Sequence, residues 1–260
     1  MNCILIFTDS RGKGLRAHLS NYTEDLSIQI FTLTISGRTL RSCLKSASEY
    51  LNGKLYRGTY TVKYVAIISG ICDLTSIVKE GGNRILQYQH DEENVNSLIN
   101  DIKRHYTIYG GKINIATIAP ASIENHYSFY NPLMPRPESL EEDQKSLLQA
   151  TSLINTTIID CNKANGTESL DLARKTYSAS KKARGNKTFK FSPKTLSDGV
   201  HANENIQNKW LTLASNVIQR EAKRVILDIV GQRPRPQEDE STSSESDSDS
   251  QQSRKRPRRF

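Results

Sequence analysis

This sequence predicts a three-layer α/β/α domain with a mainly parallel sheet, and three observations lead there. Apolar runs of strand length alternate with segments of helical periodicity from Cys3 to Ile226. The first run, Cys3 to Phe7, is apolar without interruption, as expected of a strand buried on both faces. Each early strand then stops at a small polar or glycine-containing turn, the pattern of βαβ units.

The elements follow in order. Cys3–Phe7 gives way to Thr8-Asp9-Ser10, then Arg11-Gly12-Lys13-Gly14, and a helix beginning at Leu15. Ser27 to Thr34 alternates polar and apolar residues and reads as a second strand with one face less buried, ending in Ile35-Ser36-Gly37. Thr39 to Leu51 carries Leu40, Cys43, Leu44, Ala47 and Leu51 at helical spacing. Lys63 to Ser69 is the third strand, ending at Gly70, and Ile71 to Thr75 reads as a loop or short helix. Gly81-Gly82-Asn83 breaks whatever precedes it. Val95, Leu98, Ile99, Ile102 and Tyr106 mark a helix stopped at Gly110-Gly111, and Ile113 to Ile118 is a fourth strand. The connection from Ala121 to Ser139 is long and holds Tyr127, Phe129 and Tyr130, so it reads as a functional lid. Leu140 to Asn162 is a long helix, Ser169 to Ala173 a short fifth strand, and Arg174 to Ser197 a polar, basic stretch. Ile206, Trp210, Leu213, Val217, Ile218, Val225 and Ile226 set a last long helix against the core.

Composition bounds the function. A folded domain over residues 1–231 and a disordered tail over 232–260 are expected, because the tail is too polar to bury a core. The tail carries seven Lys/Arg and six Asp/Glu, so most of the +8 net charge belongs to the folded part. That excess suits a polyanionic partner or substrate, or serves solubility. No signal peptide and no membrane span are expected: the apolar run after Met1 is five residues long with no basic leader, and none approaches about 20 residues. Cys3, Cys43, Cys72 and Cys161 are scattered without metal or redox spacing, which suggests a reducing intracellular compartment. No metal or cofactor is expected, and the chain reads as a monomer.

The chemistry gathers at the ends of the strands, where sites lie in open α/β sheets. Ser10 follows the first strand, Gly37 the second and Gly70 the third. On that stretch alone, Asp9 or Ser10 serves as a helix N-cap as readily as a reactive group. Asp198-Gly199-Val200-His201 precedes the last helix, and His201 is the one histidine of five with a carboxylate three residues before it. An Asp-x-x-His turn lets the carboxylate fix the imidazole tautomer and frees the far nitrogen to take a serine proton.

These residues in this order resemble the SGNH/GDSL hydrolase superfamily across roughly residues 2 to 225. Its Gly-Asp-Ser block stands here as Thr8-Asp9-Ser10, its second-block glycine as Gly37, its Gly-x-Asn-Asp block as Gly70-Ile71-Cys72-Asp73, and Asp-x-x-His intact at Asp198 to His201. The resemblance implies a flavodoxin-like sheet and a serine esterase or acyl hydrolase acting on a small ester or acylated substrate. It also implies Ser10 as nucleophile, His201 as base and Asp198 as the orienting carboxylate. The N–H groups of Ser10 and Gly37 would bind the oxyanion, with position 72 as third donor. Two departures matter. Thr8 in place of glycine requires φ < 0 there. Cys72 in place of asparagine leaves a weak donor, so the activity is expected to be slow. As a small buried space-filler, Cys72 would have no chemical role.

The other reading is a catalytically inactive domain that binds nucleic acid or a protein partner. Between Leu172 and Ser197 no Asp or Glu occurs, while Lys181, Lys182, Arg184, Lys187 and Lys190 interleave with Phe189 and Phe191. Such a stretch suits phosphate contacts and base stacking, or is a solvated loop. In the tail, Arg254, Lys255, Arg256, Arg258 and Arg259 resemble a nuclear-localisation cluster, which would engage an import receptor and place the protein in the nucleus. Thr242, Ser244 and Ser246, each with an acidic residue three positions on, resemble acidophilic kinase sites.

Overall fold

A computed structural model describes residues 2–20, 28–53, 59–80, 82–89, 91–181 and 187–231, with backbone only at residues 20, 80, 179–181 and 187–189. Four strands form the central sheet: β1 (Asn2–Thr8), β2 (Gln29–Thr34), β3 (Thr61–Ile68) and, later in the chain, Ile113–Ile115. All pair in parallel. Between β3 and the fourth of these strands, a hairpin of β4 (Thr75–Glu80) and β5 (Asn83–Tyr88) stands apart, so Ile113–Ile115 is β6. The sheet order is β2-β1-β3-β6, which puts the topological switch point between β1 and β3.

The uninterrupted apolar run of β1 has a simple cause. Cys3, Leu5 and Phe7 enter one core, and Ile4 and Ile6 the other. The first core is covered by α2 (Leu40–Leu51), α3 (Glu92–Tyr109) and α5 (Ser139–Ala164). The second is covered by α1 (Leu15–Ser20) and α6 (Glu204–Val230). The three layers and the mainly parallel sheet are those the sequence predicts. β2 lies at the edge and is only half-buried, in keeping with its alternating pattern.

Four expectations need correction. Ser169–Ala173 is not a strand. The outer edge of β6 and the residues after it are instead satisfied by side chains. Ile115 N–H donates to the Tyr106 hydroxyl at 2.9 Å, and Asn162 Nδ2 donates to Ile115 O at 3.0 Å. Asn155 accepts from Ile118 N–H at 2.6 Å and returns a bond to Ile118 O at 2.9 Å. Little ladder is left for a fifth strand, and Leu170 contributes one backbone bond, from Thr117 N–H at 2.9 Å. For the same reason β6 ends at Ile115, short of Ile118. The break expected at Gly81-Gly82-Asn83 falls where β4 ends at Glu80 and β5 begins at Asn83, and Gly81 lies outside the described residues. The long connection after Pro120 contains a helix, α4 (Ile123–Tyr130). The basic stretch contains a second hairpin, β7 (Tyr177–Lys181) with β8 (Lys187–Phe191).

Trp210 Nε1 donates to Leu172 O at 2.9 Å, which fixes α6 against the segment beside β6. Among the described residues no helix is long and apolar enough to cross a membrane.

Candidate active site

The carboxyl end of β1 turns sharply. Asp9 caps the three-residue 3₁₀ turn Ser10–Gly12, accepting Arg11 N–H on Oδ1 at 2.8 Å, so Asp9 is the cap and Ser10 is left to point outward. Gly12 folds back on the strand: a Cβ there would lie 1.7 Å from Thr8 Oγ1. Thr8 stays in the extended ladder, paired with Thr34 and Ile68, and its hydroxyl occupies the space that a side chain at position 12 would need.

His201 reaches Ser10 from the far end of the chain. Its Nε2 lies 3.0 Å from Ser10 Oγ. Its Nδ1 lies 2.8 Å from Asp198 Oδ2, and its backbone N–H donates to Asp198 Oδ1 at 2.7 Å. Val200 N–H donates to the same oxygen at 2.9 Å. Burial alone would raise the Asp198 carboxyl. The His201 N–H, the imidazole and the Val200 N–H outweigh it and hold the group below its ordinary value. Asp198 is 14% exposed and His201 46%, so the ring stands at a solvent-facing mouth with its carboxylate behind it.

The loop carrying this pair is fixed from two sides. Ser197 N–H donates to His201 O at 2.7 Å and closes the loop on itself. Ser122 N–H, at the start of α4, donates to Gly199 O at 2.7 Å. Gly199 has φ +83°, and a Cβ there would lie 2.4 Å from both His126 N and Ser122 O, so only glycine fits.

Gly37 lies in the exposed turn after β2. Among the described residues, neither its N–H nor that of Ser10 has an acceptor. The turn is anchored by Asp73, whose carboxylate accepts from Leu40 N–H and, at 3.3 Å, from Arg41 N–H at the start of α2. Burial nonetheless pushes Asp73 up to about 6. Cys72 is half-buried in the 3₁₀ turn Ile71–Asp73. Burial, aided by Asp9, pushes its thiol up, against any thiolate role.

Of the basic stretch, Lys182 and Arg184 lie outside the described residues, as do the side chains of Lys181, Lys187 and Phe189. Lys190 is exposed, and the Phe191 ring packs edge-on to Tyr177 with centroids 6.1 Å apart. The tail cluster from Arg254 to Arg259 also lies outside. Three parts of the site escape a sequence reading: Asp73 as anchor, Gly199 as contact point and Arg11 as a buried cation. The third block and the Asp-x-x-His tetrapeptide contain the first two, but nothing in their spacing shows what they touch. Among the described residues no group of three or more His, Cys, Asp or Glu could hold a metal ion.

Comparison with solved structures finds a lipolytic protein of the G-D-S-L family from Veillonella parvula, 11% identical, with a TM-score of 0.51 over 85% of this chain and all of that one. The chain has the GDSL/SGNH hydrolase fold. Other similar structures are the psychrotrophic esterase EstA from Pseudoalteromonas sp. (13% identical, TM-score 0.45, 86% of this chain and 100% of that one) and an aryl esterase of M. smegmatis (11%, 0.47, 85% and 99%). No family model matches the sequence, and no curated protein does. In this GDSL/SGNH hydrolase fold, Ser10 stands at the end of the strand that borders the switch point.

Proposed function

We propose that this protein is a serine hydrolase that cleaves an ester or other acylated small molecule through an acyl-enzyme on Ser10. The unbroken chain Ser10 Oγ, His201, Asp198, at 3.0 and 2.8 Å, carries the proposal. Asp198 accepts a hydrogen bond from Nδ1–H and leaves the Nε2 lone pair facing the hydroxyl. As Oγ attacks the carbonyl carbon, its proton passes to Nε2 and the carbonyl π pair moves onto oxygen. The N–H groups of Ser10 and Gly37 would receive that oxyanion, and Asp198 would stabilise the imidazolium. Collapse expels the alkoxide, which takes the proton from Nε2. A water then repeats the sequence on the acyl-Ser10 ester and releases the acid.

The lipolytic description of the Veillonella protein supports an ester substrate. A thiol at position 72 would give a weak third donor, and losing one oxyanion donor typically costs about 10²–10³ in turnover. The turnover we expect is therefore slow.

A fluorophosphonate probe tests the reading directly, because it needs only an activated serine. Wild type should be labelled at Ser10, and Ser10→Ala should stay blank. An unlabelled, folded wild type would overturn the proposal.

A further inference from the structure

Arg11 follows the proposed nucleophile, yet it is only 7% exposed. Its Nη1 donates to Ala119 O, in the segment after β6. Its own carbonyl accepts from Gln207 Nε2 of α6 at 2.8 Å. One residue therefore spans the two elements that flank the nucleophile turn. The remaining guanidinium nitrogens, Nε and Nη2, are buried without a partner among the described residues, and so is Asp9 Oδ2. Asp9 and Arg11 border the same void of about 10 Å³, beside Ser69, Thr117 and Trp210.

This is an expensive arrangement. Burial works against both charges, raising the Asp9 carboxyl and lowering the Arg11 guanidinium, and each group only partly offsets the other's penalty. A methionine would fill the space without a charge to desolvate. The guanidinium is also too deeply enclosed to touch a substrate at the mouth where His201 is exposed. Its reach toward the chemistry runs through the backbone of the turn.

We propose that Arg11 is a positioning residue for Ser10: its buried guanidinium ties the three-residue turn carrying the nucleophile to the segment after β6, and so holds Oγ at hydrogen-bond distance from His201. The inference rests on the reading of Ser10 as a nucleophile. A side chain that holds reacting atoms in register acts on the chemical step, since a displacement of about 1 Å can cost around 10²-fold in rate. It acts little on the affinity for a ligand.

Three variants of the full chain test it: Arg11→Met, Arg11→Lys, and Asp9→Asn combined with Arg11→Met. The third removes both buried charges, so it can fold where Arg11→Met, with Asp9 left unpaired, does not. Fluorophosphonate labelling is followed at increasing probe concentration, alongside thermal melts. In Arg11→Met the maximal rate should fall about 10- to 100-fold, with the half-saturating concentration unchanged. Arg11→Lys should recover part of the rate, because an ammonium can still donate to Ala119 O. The double variant should melt near wild type and still label slowly. A double variant that labels at the wild-type rate, or a loss confined to the half-saturating concentration, sinks this inference alone. An unlabelled wild type sinks the hydrolase reading, and this inference with it.

Discussion

A thiol is a poor substitute for an amide where negative charge develops, and burial keeps the Cys72 thiol protonated. If position 72 faces the oxyanion, Cys72→Asn should raise kcat on p-nitrophenyl acetate by about 10-fold or more and leave KM nearly unchanged, because the gained donor acts on the transition state. An unchanged kcat in a folded variant would mean that position 72 faces elsewhere. Residue types and their order were readable at this scale: Ser10, Asp198 and His201 stand in the sequence as a turn serine and a carboxylate three residues before a histidine. Arg11 was not readable. An arginine in a polar turn counts as surface until the chain brings the end of β3, the segment after β6 and α6 around it, and three separate parts of the chain supply that burial.

Apart from α4, the helices and the interior strands were legible because each buries one wide stripe or two full faces. The hairpins were harder. Tyr177 to Lys181 and Lys187 to Phe191 do alternate, but the abundance of lysine favours a loop reading over the period-two pattern. Gly81-Gly82 signals a hairpin turn as well as a break, and the flanking strands are short. The absent fifth strand could not be foreseen, since Asn155, Asn162 and Tyr106 replace ladder bonds from positions that look like ordinary helix residues. The loop from Ser197 to His201 makes its own prediction. Gly199→Ala would force a side chain against the backbone of α4 at a positive φ, at a cost of about 1–3 kcal/mol for the backbone strain alone. The loop should shift to escape the clash and carry His201 away from Ser10. Under the proposed function, turnover of an ester should drop about 10-fold or more, with a modest fall in melting temperature. Wild-type turnover in Gly199→Ala would show that the contact with α4 does not place the imidazole.

At the scale of the whole molecule, two buried groups set opposing responses to acid. His126 is 1% exposed, and burial, with Arg84 nearby, lowers it from 6.5 to about 4. The fold therefore favours its neutral form. That contribution, about 3 kcal/mol, is complete above pH 6.5 and is lost as pH falls toward 4. Asp73, raised from 3.8 to about 6, has the opposite sign: its contribution is complete below 3.8 and is lost as pH rises through 6. A bare stability curve mixes the two. The difference in unfolding free energy between wild type and His126→Phe isolates the histidine, and the wild-type protein should lose ground steadily from pH 6.5 to 4. A constant difference across that range would mean that His126 titrates alike in the folded and unfolded chains.

The hydrogen bond between Ser10 and His201 joins residues 191 positions apart. At a synthesis rate of about 5–20 residues per second, the ribosome makes the hydroxyl roughly 10 to 40 s before the ring that would activate it. Through that interval the nascent chain carries an ordinary serine. A chain released early, anywhere before Asp198, would hold β1 and the turn carrying Ser10 without the base proposed to meet it. Reactivity at Ser10 would then report that translation had reached α6 and that this last helix had docked. A product stalled short of His201 should pass a fluorophosphonate probe untouched, however much of its sheet had already assembled.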